Sequence, residues 1–241
     1  MINNNHENIK KALTVKVTAK SISKRNYMIR ITLIITGALL LLLSTTYGLL
    51  YIANENGNFT IELDPKLKNK KKMLISATSD FKETPLILET DALDYMDNIS
   101  GRWIPDDVDN IEGPHSKDNY LAYTFFVKNT SDDDLDYMTE INILSVVKKV
   151  DEAIRVAIYK NGEKTIYAKR NSETNKPEEN TEEFASSTQV MSAKQSGLKK
   201  DSMDKYTIVI WLEGDDPDCI NEIMGGALKL KMIITEVQNN D

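Results

Sequence analysis

The segment Ile31–Ile52, ITLIITGALLLLLSTTYGLLYI, runs for 22 residues without a charge, and it constrains this chain more than any other feature. At about 1.5 Å per residue a helix of that length spans roughly 33 Å, close to the hydrocarbon thickness of a bilayer. A core helix of a soluble protein normally keeps a polar face over such a length. The segment therefore reads as a transmembrane helix whose partner is the lipid bilayer. Seven bases (Lys10, Lys11, Lys16, Lys20, Lys24, Arg25, Arg30) and one acid precede it, and the next base is Lys66. Positive charge marks the cytoplasmic side, so residues 1–30 form a basic cytoplasmic tail and residues 53–241 an extracellular domain, single pass in the cell membrane. A cleaved signal peptide is the rival reading. Against it stand a basic region of 30 residues, an apolar stretch beyond the usual ~7–15, and a bulky Tyr51 in Tyr51-Ile52-Ala53, where cleavage needs a small residue. An uncleaved signal-anchor is the expectation.

Charge divides the same way. Of 30 bases and 37 acids in the whole chain, 23 and 36 fall in residues 54–241, a net of −13. A domain so acidic is repelled by nucleic acid and by anionic lipid, so no nucleic-acid partner is expected. The single cysteine, Cys219, rules out an internal disulfide, which suits a Gram-positive surface better than a secreted eukaryotic domain.

Beyond the anchor, period-two alternation dominates. Phe59, Ile61 and Leu63 alternate with polar residues, and Asp64-Pro65 ends that strand. Lys66–Lys72 reads as a solvated loop and Met73–Ala77 as a second strand. Residues 80–119, rich in Pro, Gly, Asp and Asn, read as an irregular connection with one short strand near Leu86–Leu88 and with Trp103 packed on a sheet edge. Tyr120–Lys128, Tyr137–Val146 and Ile154–Ile158 alternate clearly. Asn161-Gly162 then predicts a type I′ hairpin returning through Lys164–Lys169. Residues 171–183, NSETNKPEENTEE, read as an exposed loop. Phe184–Val190, Tyr206–Leu212 and Ala227–Val237 complete eight to ten strands, with Tyr206–Leu212 apolar on both faces as a central strand is. The expected class is all-β: an antiparallel jelly-roll-like β-sandwich behind one transmembrane helix.

The densest polar motif is Trp211-Leu212-Glu213-Gly214-Asp215-Asp216-Pro217-Asp218-Cys219. Asp215, Asp216 and Asp218 offer hard oxygen ligands in a turn and make a candidate Ca²⁺ site. Aspartate with Gly and Pro also builds ordinary turns, and the spacing is not that of an EF-hand. Asp132, Asp133, Asp134 and Asp136 form a second acidic turn, and a meeting of the two would favour a metal. Cys219 lacks an obvious base, since the only histidines are His6 and His115. Zinc hydrolysis needs more His or Cys than this, and no HExxH, GxSxG or phosphate-loop motif occurs. The chain is expected not to be an enzyme, and no cofactor beyond Ca²⁺ is expected.

The stretch YTIVIWLEGDDPDC (206–219), the YLAYTFFVKNT of 120–130, and the order of basic tail, apolar segment with Thr45-Thr46-Tyr47 and early strand resemble the TasA and camelysin group of Firmicutes surface proteins. The resemblance implies a jelly-roll sandwich at the cell surface with a structural or protein-interaction role, related to matrix or fibre formation. Its partners would be other surface or matrix proteins, or a second copy of the chain through pairing of Phe59–Leu63. Here Thr45-Thr46-Tyr47 is followed by Gly48-Leu49-Leu50 in place of the Ala-Trp and polar residues of a cleavage site, and the histidine count does not support the metalloprotease activity described for camelysin relatives. An extracellular ligand- or Ca²⁺-binding sensor is the alternative function, and a surface hydrolase a third.

Overall fold

A computed structural model describes residues 19–55, 59–90, 93 and 95–237, with side chains in the first helix described from 24 to 47. The chain divides into two compact units, Met1–Asn54 and Glu55–Asp241.

The first unit carries helix α1, Ala19–Glu55. Within it Lys24–Tyr47 is long and apolar enough to cross a membrane or to serve as a signal sequence. Leu33, Ile34 and Leu41 are exposed, with no protein surface over them. The hydroxyls of Thr32, Ser44, Thr45 and Thr46 donate to helix carbonyls three or four residues back, at 2.9–3.0 Å. These four hydroxyls are thereby satisfied within the helix, as an apolar solvent requires. Residues 1–18 of the basic tail expected over 1–30 lie outside the described residues.

The second unit is β-rich. Its strands are β1 (Phe59–Leu63), β2 (Met73–Ser76), β3 (Ile87–Glu89), β4 (Gly113–Pro114), β5 (Tyr120–Asn129), β6 (Leu135–Val147), β7 (Ile154–Lys160), β8 (Glu163–Ala168), β9 (Glu182–Glu183), β10 (Gln189–Leu198), β11 (Met203–Leu212) and β12 (Ala227–Glu236). One sheet has the order β10-β6-β12-β1-β3, and the other β2-β5-β11-β7-β8-β9 with β4 also on β5. Both sheets are mixed. β1 runs parallel to β12 in the register Phe59↔Leu230 to Leu63↔Ile234, and β8 runs parallel to β9. This corrects the expected antiparallel arrangement, because alternation reports which face is buried and is blind to strand direction.

β1 pairs within its own sheet and is an interior strand, with Phe59, Ile61 and Leu63 fully buried. These side chains join Tyr137, Ile141, Met232 and Ile234 of the same sheet and Leu121, Phe125, Val156 and Ile208 of the other in one apolar cluster. A second cluster covers the other face of the second sheet, where Ile99, Ile104 and Val108 close over Ala122, Ala157, Val209 and Trp211. Two covered faces explain why Tyr206–Leu212 is apolar on both sides: β11 lies between β5 and β7. The Asn161-Gly162 turn holds φ of 52° and 91°, as a type I′ hairpin requires, and pairs Lys160 with Glu163.

Local corrections follow from caps and burial. Pro65–Asn69 forms a short helix, α2, where the lysine run suggested a loop. Asp64 accepts from the Lys66 amide at 2.8 Å, Pro65 stands in the first turn, and Leu67 is buried. Trp103 is 73 % exposed where a packed residue was expected, and its neighbours Ile99 and Ile104 are the ones buried, over the face of the second sheet. The strand expected at Phe184–Val190 begins at Gln189, with Phe184 buried ahead of a turn closed by Ser186 and Gln189.

Candidate metal centre

The turn after β11 is built from its acids, and each acid has a different partner. Glu213 Oε2 accepts from Trp211 Nε1 at 2.9 Å and from the Gly101 amide at 3.0 Å. Glycine at 101 eases that approach, since a Cβ there would stand 3.0 Å from the Trp211 ring and 3.1 Å from Glu213 Oε2. Asp215 accepts from Ser100 Oγ at 2.7 Å and Arg102 Nη2 at 3.1 Å. The Ser100 hydroxyl and then the Arg102 guanidinium hold its carboxyl below the usual range. Asp216 Oδ1 accepts from the Asp218 amide at 2.7 Å, a local Asx turn. Both oxygens of Asp218 are taken by Ser172, through its amide at 2.8 Å and through its hydroxyl. The acids thus staple residues 100–102 and 172 onto the end of β11.

Beneath the turn lies Arg155 of β7, its side chain 6 % exposed. Its Nη2 stands 2.5 Å from Asp216 Oδ2 and 3.5 Å from Glu178 Oε2. The approach to Asp216 is an ion contact without the alignment of a hydrogen bond, so Asp216 Oδ2 and Glu178 Oε1 are buried oxygens with no hydrogen-bond donor. Glu178, Asp216 and Asp218 each bring one oxygen within 4.8 Å of the others. Two of the three carboxylates, Glu178 and Asp216, face the Arg155 guanidinium. Arg155 supplies part of the counter-charge that a burial this deep demands, and the two undonated oxygens retain lone pairs for a hard cation. Ligands of oxygen alone, with no imidazole or thiolate, fit Ca²⁺ better than zinc. An open groove of about 530 Å³ runs alongside, with Tyr159, Lys164 and Trp211 in its lining.

Of the sequence candidates, Asp216 and Asp218 come together and Asp215 turns away to Arg102. The third carboxylate is Glu178, from the stretch NSETNKPEENTEE that composition alone marks as an exposed loop; its side chain is 16 % exposed. No local signal identifies it, because its burial depends on a partner, Arg155, 23 positions earlier. An arginine inside the alternating run IRVAIYK is the readable hint: a charge at a covered strand position needs a carboxylate. The second acidic turn lies at the opposite end of the second sheet, since β5 and β11 pair Lys128 with Met203 and Tyr120 with Trp211. Three of its four acids are matched by lysines instead: Asp132 with Lys200, Asp134 with Lys199 and Asp136 with Lys194. Both ring nitrogens of His115 face backbone carbonyls, those of Gly113 and Val108, whereas the thiol of Cys219 accepts from Asn98 Nδ2 at 3.2 Å.

No family model matches the chain, and no curated protein matches it. Among solved structures it is similar to the beta-glucosidase from Kluyveromyces marxianus in complex with glucose, at 14 % identity and a TM-score of 0.26 over 70 % of this chain and 16 % of that one. The selenomethionine-labelled form of that beta-glucosidase gives 13 % identity and a TM-score of 0.28 over 70 % of this chain and 17 % of that one. The chain spans about one sixth of the enzyme's length, and at these scores the likeness carries no argument about fold or activity.

Proposed function

We propose that this is a bacterial cell-surface protein, anchored by α1 with its N-terminus in the cytoplasm, whose β-rich unit acts outside the cell in a structural or protein-interaction role. The observation that carries the reading is the bare apolar surface of α1. From Lys24 to Tyr47 the described side chains are exposed apart from half-buried Ile31, and an uncovered apolar helix of this length is stable in lipid and not in water. The seven bases ahead of the helix support the inside-to-outside orientation. One apolar cluster shared by two sheets supports a jelly-roll-like sandwich as the outer fold. The Cys/His nucleophile pair and the zinc ligand set weighed from the sequence each lack a necessary member, which favours interaction over those chemistries. The partners would be other surface or matrix proteins or a second copy of the chain. Because β1 belongs to the core, pairing between molecules would use the short edge strand β3 or the edge strand β10. Protease added to intact protoplasts tests the topology: it should digest the β unit and leave a membrane-bound fragment of α1 with its tail. A full-length protein protected from the protease would overturn the orientation.

A second reading, a Ca²⁺-binding outer unit, is favoured by one observation, the undonated buried oxygens of Glu178 and Asp216. Under it, millimolar Ca²⁺ raises the melting temperature of the full chain, and Glu178→Gln removes the shift. An unchanged melting temperature at that concentration would dismiss it.

A further inference from the structure

At the end of the core where β11 finishes and β12 begins, the two sheets do not close on each other. A cavity of about 360 Å³ lies there, with Leu121, Ile154 and Ile210 of one sheet facing Leu228 and Leu230 of the other. Its inner wall is mainly aliphatic, and several lining residues that reach solvent are apolar as well: Tyr95 is 73 % exposed, Ile220 51 % and Met224 66 %. An apolar space of this size is unfavourable when dry, because its wall atoms lose dispersion partners. Among the aliphatic side chains at its inner end water finds few polar groups to bond. Asp97, Asn98 and Asn221 stand at the rim in exposed positions. Lys148 lies just outside the lining: its Nζ donates to the carbonyl of the lining residue Met224 at 2.6 Å and is 3.5 Å from where a Cβ on Gly225 would sit. Lys148 and Lys149 are both exposed, on a tight turn with φ of 58° and 54°.

We propose that this cavity binds a single-chain alkyl carboxylate, its chain between the sheets and its carboxylate on Lys148. Volume selects one chain: about 360 Å³ holds about a dozen water-sized groups, enough for a medium-length alkyl chain and too little for the two chains of a phospholipid. Charge selects the head group. The ammonium of Lys148 now rests on a neutral carbonyl, and a carboxylate is the stronger acceptor. Asp97 on the rim opposes an anion in its own direction, so the head is placed on the Lys148 side. The inference stands on the cavity alone and is independent of membrane anchorage and of the Ca²⁺ reading.

Cys219 lines the cavity and is the only cysteine in the chain, so its alkylation reports occupancy. With the full chain in lipid nanodiscs, the rate of Cys219 modification by a water-soluble maleimide is measured against dodecanoate. At about ten times the dissociation constant the rate falls about tenfold and saturates. Dodecanol protects less, Lys148→Gln lowers dodecanoate to the level of dodecanol, and Leu228→Trp, which fills the cavity, removes protection. Unchanged alkylation with dodecanoate, or protection that survives Leu228→Trp, would overturn the site. Equal protection by dodecanoate and dodecanol in the unaltered protein would overturn the carboxylate assignment. Native mass spectrometry of the unaltered chain tests the site without any variant: a one-to-one dodecanoate adduct is expected, and its absence counts against the proposal.

Discussion

The two ends of the shared core are closed in different ways, and β11 runs through both. At its start Tyr206 meets Tyr137 of the opposing sheet, oxygen to oxygen at 2.7 Å, and Tyr137 donates to Asp204 Oδ2 at 2.6 Å. Asn161 donates to the other oxygen of Asp204 at 2.8 Å, and Tyr206 stacks on Phe125 at 5.4 Å. At its finish Ile210 and Leu212 look across at Leu228 and Leu230, and the cavity remains between them. Side-chain length accounts for the difference. Sheets packed about 10 Å apart are bridged by two tyrosines meeting tip to tip, whereas branched aliphatic side chains fall short unless they interdigitate. The long residues bring hydroxyls inside, and the Asp204 network satisfies them. One end is thus a polar pin with complete hydrogen bonding and the other an apolar chamber.

The largest effect is expected on the outer face of the chamber end. Arg155→Ala leaves the fully buried Asp216 without its counter-charge and should cost about 3–5 kcal/mol, read by chemical denaturation. Combining Arg155→Met with Asp216→Leu should recover most of it, since a buried pair is often replaceable by apolar residues of similar volume. If Arg155→Ala were neutral, a cation other than Arg155 would be the one that holds the carboxylates.

Breaking the pin comes next. Tyr137→Phe removes the hydroxyl shared by Asp204 and Tyr206 while keeping the ring, at an expected cost of about 1–3 kcal/mol. Alkali tests the same end without mutation. Burial pushes the Tyr123 hydroxyl up to about 12 from its ordinary 10. Burial likewise raises Tyr206, and it raises Tyr137 with further help from the neighbouring Tyr206 and Asp204. A folded-state pKa above the unfolded one means the native protein holds its protons more tightly. That stability is complete below pH 10 and is lost as the pH climbs from 10 towards 12. Unfolding in that window, accompanied by tyrosinate absorbance, is the expected outcome; titration of all ten tyrosines before unfolding would contradict it.

The chamber should be the forgiving end. Leu228→Ala enlarges a space that already exists, so we expect about 1 kcal/mol, below the usual ~2–5 for a core leucine. A cost equal to that of a leucine elsewhere in the core would mean that the chamber is closed in solution. Smallest of all, Asp134→Asn breaks an exposed pair with Lys199 and should leave the melting temperature unchanged.

Legibility in the sequence follows the range of the interactions. The hairpin at Asn161-Gly162 and the inward faces of β1 and β12 are written locally, as turn chemistry and alternation, and so is the apolarity of α1. The central place of β11 is readable too, because both of its faces are apolar. Parallel pairing of β1 with β12 joins residues about 170 positions apart, and nothing in Phe59–Leu63 encodes a direction. β10, with the sequence QVMSAKQSGL, lies at a sheet edge and buries few side chains, so its alternation is weak and does not mark where it starts. In the candidate site, Asp216 and Asp218 are visible as an acidic turn. Glu178 is hidden in a polar stretch, and Asp215 groups with its neighbours in sequence although consecutive residues in a turn need not face the same way.

The membrane reading of α1 supports most of the functional account, and one measurement reaches it directly: N-terminal sequencing of the mature protein recovered from cells, together with the fraction in which it is found. The account predicts a protein in the membrane fraction whose first residue lies ahead of Ile31, so that the apolar helix is retained. A protein released into the medium, with a first residue between Thr46 and Asn54, would contradict it.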